Sequence, residues 1–143
     1  MKKTLIGVTL VTIFAVACTK SGSSTSSADI IGKWNLVSER VKVYLSGIPL
    51  GDQTQIQKPG QYFDFRDNGS VYIKSYDSAS NTYMYDTGSY KYGGDSLTLI
   101  STDMNYTMKV QTLNSSTLTL YTAIDSVSLG FPIKTELWIN MNK

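Results

Sequence analysis

The sequence predicts an all-β domain, a small antiparallel up-and-down β-barrel of about eight strands, with a sandwich as the alternative arrangement. Two observations lead there. From Ile30 onward no run keeps a 3.6-residue apolar period; two-residue alternation recurs instead over short segments rich in Tyr, Thr, Val and Ile. Gly, Asn, Asp and Ser divide those segments at the spacing of hairpin turns. Closing the sheet also removes the edges that so many Thr- and Tyr-rich strands would otherwise present.

Trp34 and Leu36 open the first strand, which runs to about Leu45. Residues 46–60 hold Pro49, Pro59 and three glycines and read as one long loop, a rim or lid in this type of fold. A hairpin follows, pairing residues 62–66 with 70–74 around Asn68-Gly69. A two-residue loop would set Phe65 against Tyr72 and Arg66 beside Val71. A three-residue loop of Asp67, Asn68 and Gly69 pairs Phe65 with Val71 and Phe63 with Ile73, so four apolar side chains share one face. Gly69 is then free to take positive φ. A slip of one residue would turn the whole apolar set outward. The three-residue loop is therefore expected.

Further strands are expected over 82–92 (either continuous or broken at Gly88), 96–101, 104–112, 117–122 and 133–141. Their inward sets are Leu97 and Leu99; Met104, Tyr106, Met108 and Val110; Leu118 and Leu120; and Leu137, Ile139 and Met141. Gly93-Gly94-Asp95 and Asn114-Ser115-Ser116 supply turns.

Composition narrows the function classes. The 143 residues carry 13 basic and 11 acidic side chains; without Lys2 and Lys3 of the leader described below, the balance is 11 against 11. A neutral chain with two arginines, Arg40 and Arg66, is poorly suited to nucleic acid. Hydrophobic residues at 41% and charged residues at 17% argue for a folded domain. With no histidine and one cysteine, the usual serine–histidine and cysteine–histidine nucleophiles, imidazole or thiolate zinc sites and an internal disulfide are all excluded. No cofactor is implied.

Met1-Lys2-Lys3 is a positive start, and residues 5–17 carry no charge. That stretch is shorter than the roughly 20 residues a spanning helix needs and fits the apolar region of a signal peptide. Ala15-Val16-Ala17-Cys18 then resembles the lipobox of bacterial lipoproteins. The resemblance implies cleavage after residue 17 and acylation of Cys18, and several acyl chains give lasting membrane attachment. Residues 19–28 are rich in Ser and Thr and read as a flexible linker. Lipoproteins with Asp after the cysteine are often kept at the inner membrane. Thr19 stands there instead, which by resemblance implies the outer membrane of a Gram-negative envelope, with the facing side open. Expected organisation is thus a leader at 1–17, lipidated Cys18 and linker at 18–29, and one domain at 30–143.

Gly32-Lys33-Trp34 carries the Gly-x-Trp that opens lipocalins. With Tyr62-Phe63-Asp64-Phe65 before Asp67-Asn68-Gly69, and Gly88-Ser89-Tyr90-Lys91-Tyr92 before Leu97-Thr98-Leu99, the chain resembles the lipocalin-like domain of bacterial lipoproteins. The resemblance covers about residues 30 to 143. It implies an antiparallel barrel, usually with a cavity, and mostly unassigned ligands; separately, no local motif promises catalysis, so a non-catalytic role is expected.

The candidate ligand-facing set is Trp34, Leu36, Phe63, Phe65, Val71, Ile73, Met104, Tyr106 and Met108. An eight-stranded barrel is either filled by its own side chains or holds one small ligand. Two readings follow: a lipoprotein that binds or carries a small apolar ligand near the membrane, or a filled barrel whose ten tyrosines help dock an envelope protein. Asp64, Asp67 and Asn68 gather oxygens near a turn but lack the alternating acidic spacing of a calcium loop, so no metal site is assigned. Glu39 and Glu136, the two glutamates, form a glycosidase pair only if the fold brings them together. Asp77-Ser78-Ala79, Asp95-Ser96-Leu97 and Asp125-Ser126-Val127 resemble the Asp-Ser-aliphatic acceptor for O-glycosylation in some Gram-negative envelopes; serine in polar turns is the favoured explanation.

Overall fold

The computed structural model describes residues 27–101 and 105–143. The leader, Cys18, the linker through residue 26 and Met104 lie outside the described residues. One helical turn, α1 (Ser27–Ile30), precedes nine strands: β1 (Gly32–Leu45), β2 (Ile48–Ile56), β3 (Tyr62–Phe65), β4 (Ser70–Asp77), β5 (Thr82–Gly93), β6 (Ser96–Ile100), β7 (Asn105–Leu113), β8 (Thr117–Ser128) and β9 (Phe131–Asn142). Every ladder is antiparallel, and strands β1 and β3 to β9 pair in sequence order. Pairing of β9 with β1 closes these eight strands into a barrel.

The β3–β4 hairpin has the expected register, with Phe63 opposite Ile73 and Phe65 opposite Val71. Arg66 and Ser70 close a three-residue loop in which Gly69 takes φ +81°. Of the two alternatives at Gly88, the structure has the continuous one, β5 running through it. Glycine is needed there because an added Cβ would lie 2.5 Å from the Ile100 carbonyl oxygen on β6. The missing side chain brings two strands together and breaks neither.

Residues 46–60 are not one long loop. Ser46 and Gly47, at φ +49° and +82°, form a tight turn, and β2 returns along the outer half of β1 from Leu45↔Ile48 to Ser38↔Ile56. Pro49 and Gly51 fit because β2 is paired on one side only, an edge where a missing N–H costs no ladder bond. All of β2 is exposed, so no burial imposes alternation on its sequence. Between β2 and β3 the chain turns around buried Gln61, whose side-chain oxygen accepts from the Tyr76 N–H and whose amide donates to the Gln57 side chain.

β8 and β9 outrun their expected limits for a similar reason. Residues 125–132 extend past the barrel wall as a ribbon that turns at Leu129 and Gly130, both at positive φ. Its tip lies beside that of β1–β2, the Ser46 N–H donating to the Pro132 carbonyl at 2.8 Å.

The opposite end is sealed. Ile30, Trp34, Phe65, Val71, Leu97, Leu118, Leu120 and Met141 are almost fully buried. The Trp34 indole N–H donates to the Ile30 carbonyl at 2.7 Å, satisfying one acceptor of α1. Lys143 covers this floor, its ammonium 4.4 Å from the centre of the Trp34 ring.

Candidate functional site

Above the sealed floor lies a cavity of about 310 Å³, near the lower end of the size range for small-ligand sites. Its walls are Phe63, Ile73, Leu99, Tyr106, Met108, Ile124, Leu137 and Ile139, with Thr122 and Glu39 as further polar positions. Strand register assembles them. Phe63 faces Ile73, Leu99 faces Tyr106, Thr122 faces Leu137 and Glu39 faces Ile139 across neighbouring strands. The two-residue side-chain period then turns each set toward the interior.

Of the sequence-derived candidates, Phe63, Ile73, Tyr106 and Met108 line this cavity. Trp34, Phe65 and Val71 lie in the sealed floor, and Leu36 packs against the core without lining the cavity. Met104 is outside the described residues.

Glu39 is the lining residue that simple alternation misses. Trp34 and Leu36 set an even-numbered inward phase, which carried forward puts Arg40, Lys42 and Tyr44 inside. Instead the β1–β9 register shifts between Leu36 and Ser38, and beyond this bulge Glu39 and Val41 stand opposite the inward residues Ile139 and Leu137. The signal is present in the sequence: apolar alternation resumes at odd positions, Val41, Val43 and Leu45.

Burial raises the Glu39 carboxyl above its ordinary 4.5. Among the described residues, no hydrogen bond or ion pair engages its side chain. Glu136 is its opposite in every respect. It lies three positions before Ile139 on β9 and therefore on the other face of the sheet, opposite Lys42. Lys134 pairs with it at 2.7 Å and the Tyr44 and Tyr121 hydroxyls donate to it, which holds its pKa below the ordinary value. The two glutamates do not converge on one site.

Near the hairpin tips is an open outer cleft of about 630 Å³, lined by Tyr44, Asp125, Val127, Pro132, Lys134 and Glu136 among others. It is larger than the inner cavity, but its Lys134 and Glu136 charges already satisfy each other. The more apolar and less open walls belong to the inner cavity, which is the better small-ligand site.

Turn chemistry accounts for the Asp64–Asn68 oxygens. Asp64 pairs with Arg66, and the Asn68 side chain accepts from the Ser70 N–H at 3.0 Å. Among the described residues no group of three acidic, histidine or cysteine side chains could hold a metal ion. Of the Asp-Ser-aliphatic serines, Ser78 lies in the exposed β4–β5 turn, whereas Ser96 and Ser126 lie within strands.

A sequence profile of the lipocalin-like domain matches residues 30–120. Similar solved structures include a lipocalin-like protein from Bacteroides uniformis, 18% identical over 76% of this chain and 96% of that one, with a TM-score of 0.46. An uncharacterized protein from Bacteroides eggerthii is 16% identical over 79% of this chain and 98% of its own, with a TM-score of 0.48. Bovine lipocalin allergen Bos d 2 is 15% identical over 81% of this chain and 73% of its own, with a TM-score of 0.44. No curated protein sequence matches the chain. The matched profile covers more than half of the chain, which therefore belongs to the lipocalin-like domain family.

Proposed function

We propose that the protein is a non-catalytic envelope lipoprotein whose barrel binds or carries a small apolar ligand near the membrane. The supporting observation is the partly open apolar chamber above the Trp34 floor, lined by eight hydrophobic side chains. Acylated Cys18 attaches the domain, in this reading to the outer membrane of a Gram-negative cell. From Cys18 to Ser27 the chain reaches at most about 30 Å, and α1 lies at the floor. This supports a floor turned toward the anchoring membrane and a mouth turned away from it. Cys18→Ser is expected to abolish acylation and release the domain; membrane retention with acyl mass intact would contradict the anchor.

Binding is tested by titrating the chain from residue 19 onward, which contains every described strand, with the apolar dye N-phenylnaphthylamine. Saturable one-to-one fluorescence is expected, and Ile139→Trp, which fills the cavity, is expected to abolish it. Absence of saturable binding, or binding unchanged in Ile139→Trp, would overturn the reading.

Exposed Ile48, Val127, Leu129 and Phe131 at the paired hairpin tips favour a second role, docking an apolar surface on an envelope protein. Leu129→Ser with Phe131→Ser is then expected to lower crosslinking to envelope proteins and leave dye binding unchanged. Crosslinking that persists in this variant would count against the tips.

A further inference from the structure

We propose that the cavity selects an amphiphile with a cationic head, a long-chain ammonium, seated against Glu39. The inference rests on the ligand-binding reading above and names the ligand class for that site. Glu39 stands where two cavities meet. On one side is the apolar chamber of Phe63, Met108, Leu137 and Ile139; on the other is a space of about 320 Å³ bounded by Val41, Gln53, Thr54 and Gln55. A hydrocarbon tail fits the first, and a head with several N–H donors fits the second, where Glu39 and the two glutamines offer acceptor oxygens.

Charge decides the sign of that head. Lysine or arginine lines neither cavity, and no second carboxylate does. Among the described residues, Asp67 and Asp86 have no ion pair but are exposed, and Asp77 accepts from Ser80 and the Ala79 N–H instead; Asp52 has Arg40, Asp64 has Arg66 and Glu136 has Lys134 as a cation. Glu39 has none among the described residues, although it is half-buried beside hydrocarbon. Burial without compensation raises its pKa, the response of a carboxylate that lacks a counter-charge. An ammonium supplies that charge with a charge-assisted hydrogen bond. A carboxylate head would instead place a second negative charge beside the half-buried Glu39 carboxylate.

The test compares decylamine, decanol and decanoate at neutral pH, each displacing N-phenylnaphthylamine from the chain beginning at residue 19. Their tails match to within one methylene, so the head is the main variable. Decylamine is expected to bind about tenfold more tightly than decanol, with decanoate weakest. Glu39→Gln keeps the side-chain shape and is expected to bring the amine and alcohol within about twofold of each other. Decanoate binding as well as decylamine in the unaltered chain, or an amine preference that survives Glu39→Gln, would overturn the proposal while leaving the apolar cavity standing. Failure of all three to displace the dye would overturn both.

Discussion

Glu39 of β1 stands directly opposite Ile139 of β9, and the two side chains share the wall of one cavity. A carboxylate beside a buried isoleucine is a costly arrangement unless something compensates the charge. The bulge at Val37 creates it. By shifting the phase of β1, the bulge turns Glu39 inward and leaves Arg40 outside, paired with Asp52 by two hydrogen bonds of 2.8 and 2.7 Å.

Removing the Glu39 charge is expected to stabilise the unliganded protein. The raised folded-state pKa means that the folded chain binds more protons than the unfolded chain between 4.5 and that raised value. Stability therefore falls as pH rises through this window, and the penalty is full above it. Glu39→Gln is expected to raise Tm at pH 7, with the gain fading below pH 4.5. An equal gain at pH 3 would show a packing effect instead.

Trp34→Ala removes the largest fully buried side chain and its bond to Ile30. A loss of about 3–5 kcal/mol is expected from urea unfolding. A loss below about 1 kcal/mol would show that the floor is not part of the cooperative core.

Gly88→Ala is expected to cost about 1–3 kcal/mol or more, because its Cβ meets the Ile100 backbone and not a flexible side chain. Thermal unfolding measures it, and an unchanged Tm would mean that β5 and β6 separate easily.

The Tyr92 hydroxyl is buried and makes no hydrogen bond among the described residues. Tyr92→Phe is therefore expected to be neutral or stabilising by up to about 1 kcal/mol in urea unfolding. Destabilisation beyond that would reveal a partner for the hydroxyl, such as an internal water.

What could be read in the sequence depended on one-sided burial. Phe63, Phe65, Val71 and Ile73 have one face in the core, so alternation alone gave the β3–β4 register, and with it two cavity residues. Leu97, Met108, Leu118, Leu120, Ile139 and Met141 followed the same rule. Where burial stops, the rule stops. β2 is exposed along its whole length, and residues 125–132 project beyond the barrel, so neither imposes an apolar period on its sequence. Glu39 was hidden for a different reason: one bulge reverses the phase in mid-strand, and only the odd-numbered run Val41, Val43, Leu45 betrays it.

The central claim is that a small apolar molecule occupies the chamber above Trp34. Its most direct test is a crystal structure of the chain from residue 19 onward, soaked with a bromine-tipped decanol and phased on the bromine. Anomalous density between Phe63, Met108 and Ile139 is the expected result. Bromine found at the hairpin tips or in the outer Tyr44–Glu136 cleft, with the inner cavity empty at saturating probe, would contradict it.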